Sequence, residues 1–266
     1  MKASPDMPTS NERERGVNSD LLAMIDIDRC MLNSDYFFGL VMEQLNKAGV
    51  ADEVVQAVQS AETQEKGNAF DYLAQVRALS DTIEISPEIL AQSILSSYDI
   101  AALGQAIFAD GAVEFLQALQ RSDAHMMFVT AGGEQTQRLK LVVIAALLEP
   151  LLSTSAHIPW IIIDDSQQRK TQLAAEVYDS ASQRFDMRSL LSYAKASHGL
   201  EDVDELTGIT NVLVVDDKTQ NVTDTGVTGV QGVLVVRAER PHDTQDSLAS
   251  TLPDVTQMIE ARHHNI

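Results

Sequence analysis

The chain has 266 residues, room for one large α/β domain or a core carrying a smaller one; 44% are hydrophobic and 5% aromatic. Its 19 basic against 39 acidic residues give a formal net charge of −20, which argues against nucleic acid or an anionic membrane surface as the main partner. A single cysteine, Cys30, leaves no intramolecular disulfide, and the longest apolar run, Leu141 to Leu148, is far short of a membrane span. A cytoplasmic protein is therefore expected.

In chain order, the polar segment 1–20 has no apolar stretch of signal-peptide type and reads as a flexible leader. Leu21–Ile27 is the first of five short apolar runs expected to be buried parallel strands. The others are His125–Thr130, Ile158–Ile163, Asn211–Val215 and Gly232–Arg237. The stretch 36–104 breaks the pattern, with helical periodicity over Phe37–Lys47, Glu53–Thr63, Phe70–Ser80 and Pro87–Ser96; Ser86 and Pro87 make a good helix start. Asp110-Gly111 then opens a helix over Ala112–Gln120. Further helices are expected over Glu134–Leu148, Thr171–Asp179 and Met187–Ala196. The closing EARHHNI, with His263 and His264, reads as a solvated tail.

Strands alternating with helices imply an α/β fold, a Rossmann-like parallel sheet flanked by helices with right-handed crossovers. The core is expected over 21–35 and 105–266, with 36–104 an inserted all-helical cap. Ligands of such sheets bind beyond the carboxyl ends of the strands, where an insertion acts as a lid.

Candidate chemistry sits at those ends. Asp26 and Asp28 close the first apolar run, and Asp216 and Asp217 close the fourth. Four carboxylates at one sheet edge would repel unless a cation were bound, and oxygen ligands of this kind suit magnesium. In Asp26-Ile27-Asp28, the first acid can attack while the second handles a proton. Thr130, followed by Ala131-Gly132-Gly133 and a helix, makes an anion cradle of one hydroxyl and free backbone N–H groups. Lys170, if buried against the acids, would keep the nucleophile ionised and bind phosphate; Arg169 competes for that role, and spacing alone does not separate them. Asn221 lies on the turn after Asp216-Asp217, while Asp164-Asp165 reads as a solvated loop pair. The six histidines lack ligand spacing, so zinc is not expected.

Taken in order, these motifs resemble the haloacid dehalogenase-like superfamily: Asp26-x-Asp28, Thr130, Lys170, and Asp216-Asp217-x-x-x-Asn221, with Phe108 to Leu116 similar to the segment that re-enters the core from the cap. The resemblance covers Leu21 to Arg237, and the position of the insert matches the family's C1-type cap. It implies Asp26 as nucleophile and magnesium ligand, and Asp28 as general acid/base with its backbone carbonyl on the metal. Thr130 and Ala131 would hold the phosphoryl group and Lys170 would neutralise it. Asp216 would ligate magnesium directly, Asp217 would assist directly or through water, and Asn221 would brace the loop. The implied activity is magnesium-dependent hydrolysis of a phosphomonoester, on a small phosphorylated metabolite or a phosphoprotein, through a phospho-aspartate. A phosphotransferase or mutase, or a binding module whose helical insert docks a protein, are the alternatives.

Two positions depart from the family's pattern. Cys30 stands where a threonine or small aliphatic residue is usual, so the loop's bracing differs; with Tyr36 rather than arginine six residues on, it is not a cysteine-phosphatase nucleophile. Gly132-Gly133 strips the turn after Thr130 of side chains that could define a substrate. The stretch from Lys170 to Asp216 is long, room for an extra helix around Met187–His198.

Overall fold

The structure, a computed structural model, describes residues 20–64, 71–80, 86–152, 158–163, 169–200, 205–235 and 249–264. The expectations for the leader, for Asp164-Asp165 and for positions 236 and 237 lie outside these residues. Strand β1 (Leu21–Ile25) leads into five helices, α1 (Ser34–Lys47), α2 (Asp52–Gln64), α3 (Tyr72–Leu79), α4 (Pro87–Ser97) and α5 (Ile100–Ile107). Next come α6 (Ala112–Arg121), β2 (His125–Ala131), α7 (Glu134–Leu148), β3 (Trp160–Ile163) and α8 (Lys170–Val177). The chain continues through β4 (Tyr178–Asp179), β5 (Arg184–Asp186), α9 (Met187–Leu191), β6 (Ala194–His198) and β7 (Glu205–Thr207). It closes with β8 (Asn211–Asp216), β9 (Val230–Val235), β10 (Ala249–Ser250) and α10 (Leu252–His264).

The main sheet has the order β10-β9-β8-β1-β2-β3-β6 and is parallel except for the edge strand β6. A uniformly apolar strand belongs at the centre of such a sheet, because both its faces are covered. In β1, Leu21, Ala23 and Ile25 pack into one apolar layer and Leu22 and Met24 into the other, as the two-residue side-chain period requires. Each such leucine, isoleucine or methionine taken out of water contributes about 1.5–3 kcal/mol. Ile25 pairs with Val215 on one side and Phe128 on the other, so the carboxyl ends of β1, β2 and β8 come to one edge.

The chain leaves that edge through a short two-stranded crossing. Leu32 bridges Phe108, the Asn33 N–H donates to the Ile107 carbonyl at 2.7 Å, and the Ala109 N–H donates to the Met31 carbonyl at 2.9 Å. Between these points every described element is a helix, and Ser86 caps α4 with Pro87 in its first turn, as the sequence suggests. Helix α5 was not among the four expected. On return, Gly111 takes φ +79° and a Cβ there would lie 2.7 Å from Pro253 Cδ, so glycine is needed where α10 crosses the start of α6.

Two expectations are corrected. The helix expected over Thr171–Asp179 stops at Val177, and Tyr178–Asp179 forms a small antiparallel sheet of order β4-β5-β7. The helix expected over Met187–Ala196 ends at Leu191; Ala194–His198 instead pairs antiparallel with β3 and covers its open edge, with the His198 ring 5.7 Å from that of Trp160. The chain up to His264 belongs to α10, whose Val255 and Ile259 are buried and whose Glu260 pairs with Arg121 at 2.7 Å. Among the described residues no helix is long and apolar enough to cross a membrane.

Candidate active site

The β1 ladder runs one residue past the strand, with the Asp26 N–H donating to the Val215 carbonyl at 2.8 Å. That bond fixes Asp26 beside the end of β8. The chain then turns back on itself. The N–H groups of Met31 and Leu32 both donate to the Ile27 carbonyl, at 3.0 and 2.9 Å, and Arg29 takes a left-handed φ of +59°. Cys30 is buried inside this turn with its thiol 3.9 Å from the Val215 carbonyl. Burial, and then the negative charges of Asp26, Asp216 and Asp217, push that thiol well up, so it is packing rather than a nucleophile.

Lys170 begins α8 and is buried, whereas Arg169 before it is exposed. Of the two, Lys170 is the one that meets the acids: its ammonium sits against Asp26 Oδ1 and lies 2.6 Å from Asp216 Oδ2. Burial alone would lower the lysine's pKa; the Asp26 and Asp216 carboxylates outweigh it and raise it, so the side chain stays charged. Asp216 is fully engaged. Its Oδ1 accepts the Lys218 N–H at 2.8 Å, and its Oδ2 also accepts the Asn221 side-chain N–H at 3.0 Å. Asp217 is not: its Oδ1 is buried and has no hydrogen-bond partner. Burial, followed by the Asp216 charge, raises the Asp217 carboxyl. Burial raises Asp26 as well, with Lys170 opposing and the neighbouring acids reinforcing.

Carboxylate oxygens of Asp26, Asp216 and Asp217 lie within 4.8 Å of one another. An oxygen-only donor set, an unpartnered buried carboxylate oxygen and carboxyls destabilised by mutual charge are what a hard divalent cation relieves, so these residues fit magnesium. Asp26, Asp216 and Asp217 would hold it.

Asp28 lives in a different environment. Its Oδ1 accepts from Ser34 Oγ at 2.8 Å and Lys140 Nζ at 2.7 Å, and its Oδ2 from Gln137 Nε2 and Lys140 Nζ, both at 2.8 Å. Burial would raise this carboxyl, but the Lys140 charge and the hydrogen bonds bring it down to about 2. Ser34, Gln137 and Lys140 were not anticipated from the sequence. A signal existed: Gln137, Lys140, Leu141 and Ile144 recur at helical spacing and all are buried, so two polar residues interrupt an apolar face of α7.

Thr130, near the end of β2, is not among the residues that line the cavity beside Asp26. It is wholly buried and its hydroxyl donates to Gln137 Oε1 at 3.1 Å. Ala131, Gly132 and Gly133 instead line a cavity of about 590 Å³ that also reaches Asp26, Asp28, Lys140 and Lys170. Its opposite wall is the insert, through Phe38, Met42 and Tyr72.

No family model matches the chain, and no curated protein does. Among solved structures it is similar to a protein named as a haloacid dehalogenase-like hydrolase from Burkholderia xenovorans LB400, at 14% identity and TM-score 0.49 over 93% of this chain and 99% of that one. It is also similar to a magnesium-bound protein of Bacillus subtilis named as a HAD-hydrolase, at 13% identity and TM-score 0.43 over 94% of this chain and 100% of that one. A third, named as a β-phosphoglucomutase of Thermotoga maritima, shares 13% identity at TM-score 0.41 over 90% and 98%. These similarities lie at 13–14% identity with TM-scores below 0.5, and they assign neither activity nor substrate.

Proposed function

We propose that the chain is a magnesium-dependent phosphatase that hydrolyses a phosphomonoester through a phospho-aspartate on Asp26. The observation that carries this reading is the position of Asp26, with its Oδ1 against the Lys170 ammonium and two further carboxylates, Asp216 and Asp217, within 4.8 Å. A carboxylate held by a buried cation beside a cation-binding acid cluster is suited to attack phosphorus and poorly suited to a purely structural role.

In the first step, an Asp26 oxygen forms a bond to phosphorus and the ester P–O bond breaks. In the second, water attacks the same phosphorus, the bond to Asp26 breaks and inorganic phosphate leaves. A phosphomonoester entering as its monoanion brings the first proton, which Asp28 relays to the departing ester oxygen; in the second step the ionised Asp28 takes a proton from the attacking water and releases it to solvent. Its clasp by Lys140 and Ser34 keeps the resting side chain ionised and aimed, the form the second step uses. Lys170 offsets negative charge on the phosphoryl oxygens, and Ala131 and Gly132 line the same cavity. Bound magnesium would supply further charge neutralisation at Asp26, Asp216 and Asp217.

The test is hydrolysis of a generic aryl phosphate with magnesium by the wild type and by Asp26→Asn. The proposal predicts loss of turnover by roughly a thousandfold or more. Undiminished turnover by the purified variant would sink it.

A further inference from the structure

The glycine pair after β2 has a structural reason that the phosphate site does not require. A Cβ on Gly133 would lie 2.2 Å from Asp71 Cα, so the insert's backbone passes directly over this turn. Asp71 then puts its carboxylate onto the start of α7. Its Oδ2 accepts the Gln135 N–H at 2.7 Å, and its Oδ1 accepts the Thr136 N–H at 3.2 Å and the Thr136 hydroxyl at 2.9 Å. The same Oδ1 accepts the Ala74 N–H at 3.2 Å as the N-cap of α3, and the Leu73 N–H donates to Thr136 Oγ1 at 3.2 Å. One side chain thus caps a helix of the insert and a helix of the core, each at the end where negative charge is favoured.

The residue after it builds the wall. Tyr72 is buried and lines the cavity; its hydroxyl lies 2.7 Å from Met42 Sδ, and its ring meets that of Phe38 edge-on at 5.8 Å. Asp71 therefore sets where Phe38, Met42 and Tyr72 stand relative to Asp26. The space left, about 590 Å³, suits a metabolite-sized ligand.

We propose that Asp71 is a positioning residue that clasps the insert to the core at Gly133 and Thr136, and that the wall it fixes selects small phosphomonoesters over phosphoproteins. The selectivity half of this rests on the phosphatase reading; the clasp does not. A carboxylate that joins two helix ends across the site acts on substrate only through the wall it holds, so its loss changes which substrates fit more than it changes the chemistry at Asp26.

The experiment uses the full chain and two variants. Asp71→Ala removes the carboxylate. Gly133→Ala keeps it but adds a methyl against Asp71; φ at Gly133 is −67°, which alanine adopts freely, so this variant acts only through the clash and guards against misfolding of the first. Amide hydrogen exchange is read at Gln135 and Thr136, and kcat/KM is measured for a small aryl phosphate and for a phosphoserine peptide. Exchange at those amides should quicken by about tenfold or more in both variants, the effect of losing a capping carboxylate. The wild type should prefer the small ester, and that preference should shrink by about tenfold or more in each variant. Unchanged exchange overturns the clasp. An unchanged ratio, or a wild type that prefers the peptide, overturns the selectivity. If the wild type turns over neither compound, the phosphatase reading fails and selectivity with it, while exchange still decides the clasp.

Discussion

Replacing Lys140 with methionine isolates the ion pair that the sequence did not announce. Lys140 is 3% exposed and Asp28 30%, and the ammonium lies 2.7–2.8 Å from both carboxylate oxygens. The fall of Asp28 from its ordinary 3.8 to about 2 corresponds to ~2 kcal/mol of differential stabilisation. Because the folded pKa is depressed, this stability is present in full above the unfolded value and is lost as pH falls from about 4 toward 2. In Lys140→Met, burial of Asp28 is no longer opposed by that charge, so the carboxyl rises instead. The expected cost at pH 7 is about 2–4 kcal/mol, below the full penalty for a deeply buried orphan charge because Asp28 keeps Ser34, Gln137 and some solvent. The assay is urea unfolding of both proteins in magnesium-free buffer from pH 7 down to pH 3. The difference in unfolding free energy should narrow as the pH drops through 4. Equal stabilities at pH 7, or a difference that stays constant across that range, would refute the reasoning.

Lys170→Met should lose turnover by at least about a hundredfold and cost about 3–5 kcal/mol in unfolding experiments, since two buried carboxylates lose their cation; Arg169→Ala, at an exposed position, should stay within about twofold of wild type in the same assays. Magnesium at about a hundred times its dissociation constant should stabilise the protein by about 2.7 kcal/mol, read as a rise in Tm, and Asp217→Asn should remove most of that rise by neutralising the unpartnered ligand. Gly111→Ala should cost about 1–3 kcal/mol in urea unfolding, because the residue must hold φ +79° and its methyl meets Pro253.

The parallel core was legible because its strands carry no charged residue between their ends and so must lie between covered faces: β1 reads LLAMI and β3 reads WIII. The strand-end positions of Asp26 and Asp216 followed from the same runs, and with them the acid cluster. What could not be read depends on contacts between distant segments. The sequence MRSLLSYAKA has helical spacing, yet its second half is a strand because the edge of β3 needs a partner. Thr130 lies one residue before the end of β2, but it is wholly buried and its hydroxyl donates to Gln137, one helical turn into α7. Lys140 looks like an ordinary helix lysine until the loop after β1 brings Asp28 against it. Gly133 reads in the sequence only as part of an anion cradle; the approach of Asp71, over 60 residues earlier, is what requires glycine there.

The most direct test of the account is a rapid acid quench of the magnesium-loaded protein during turnover of an aryl phosphate, followed by peptide mass analysis. The account predicts the mass of one phosphoryl group on the peptide containing Asp26, discharged on standing and absent from Asp26→Asn. Steady turnover with no phosphoryl group on that peptide at any quench time, or a group carried at another residue, would contradict it.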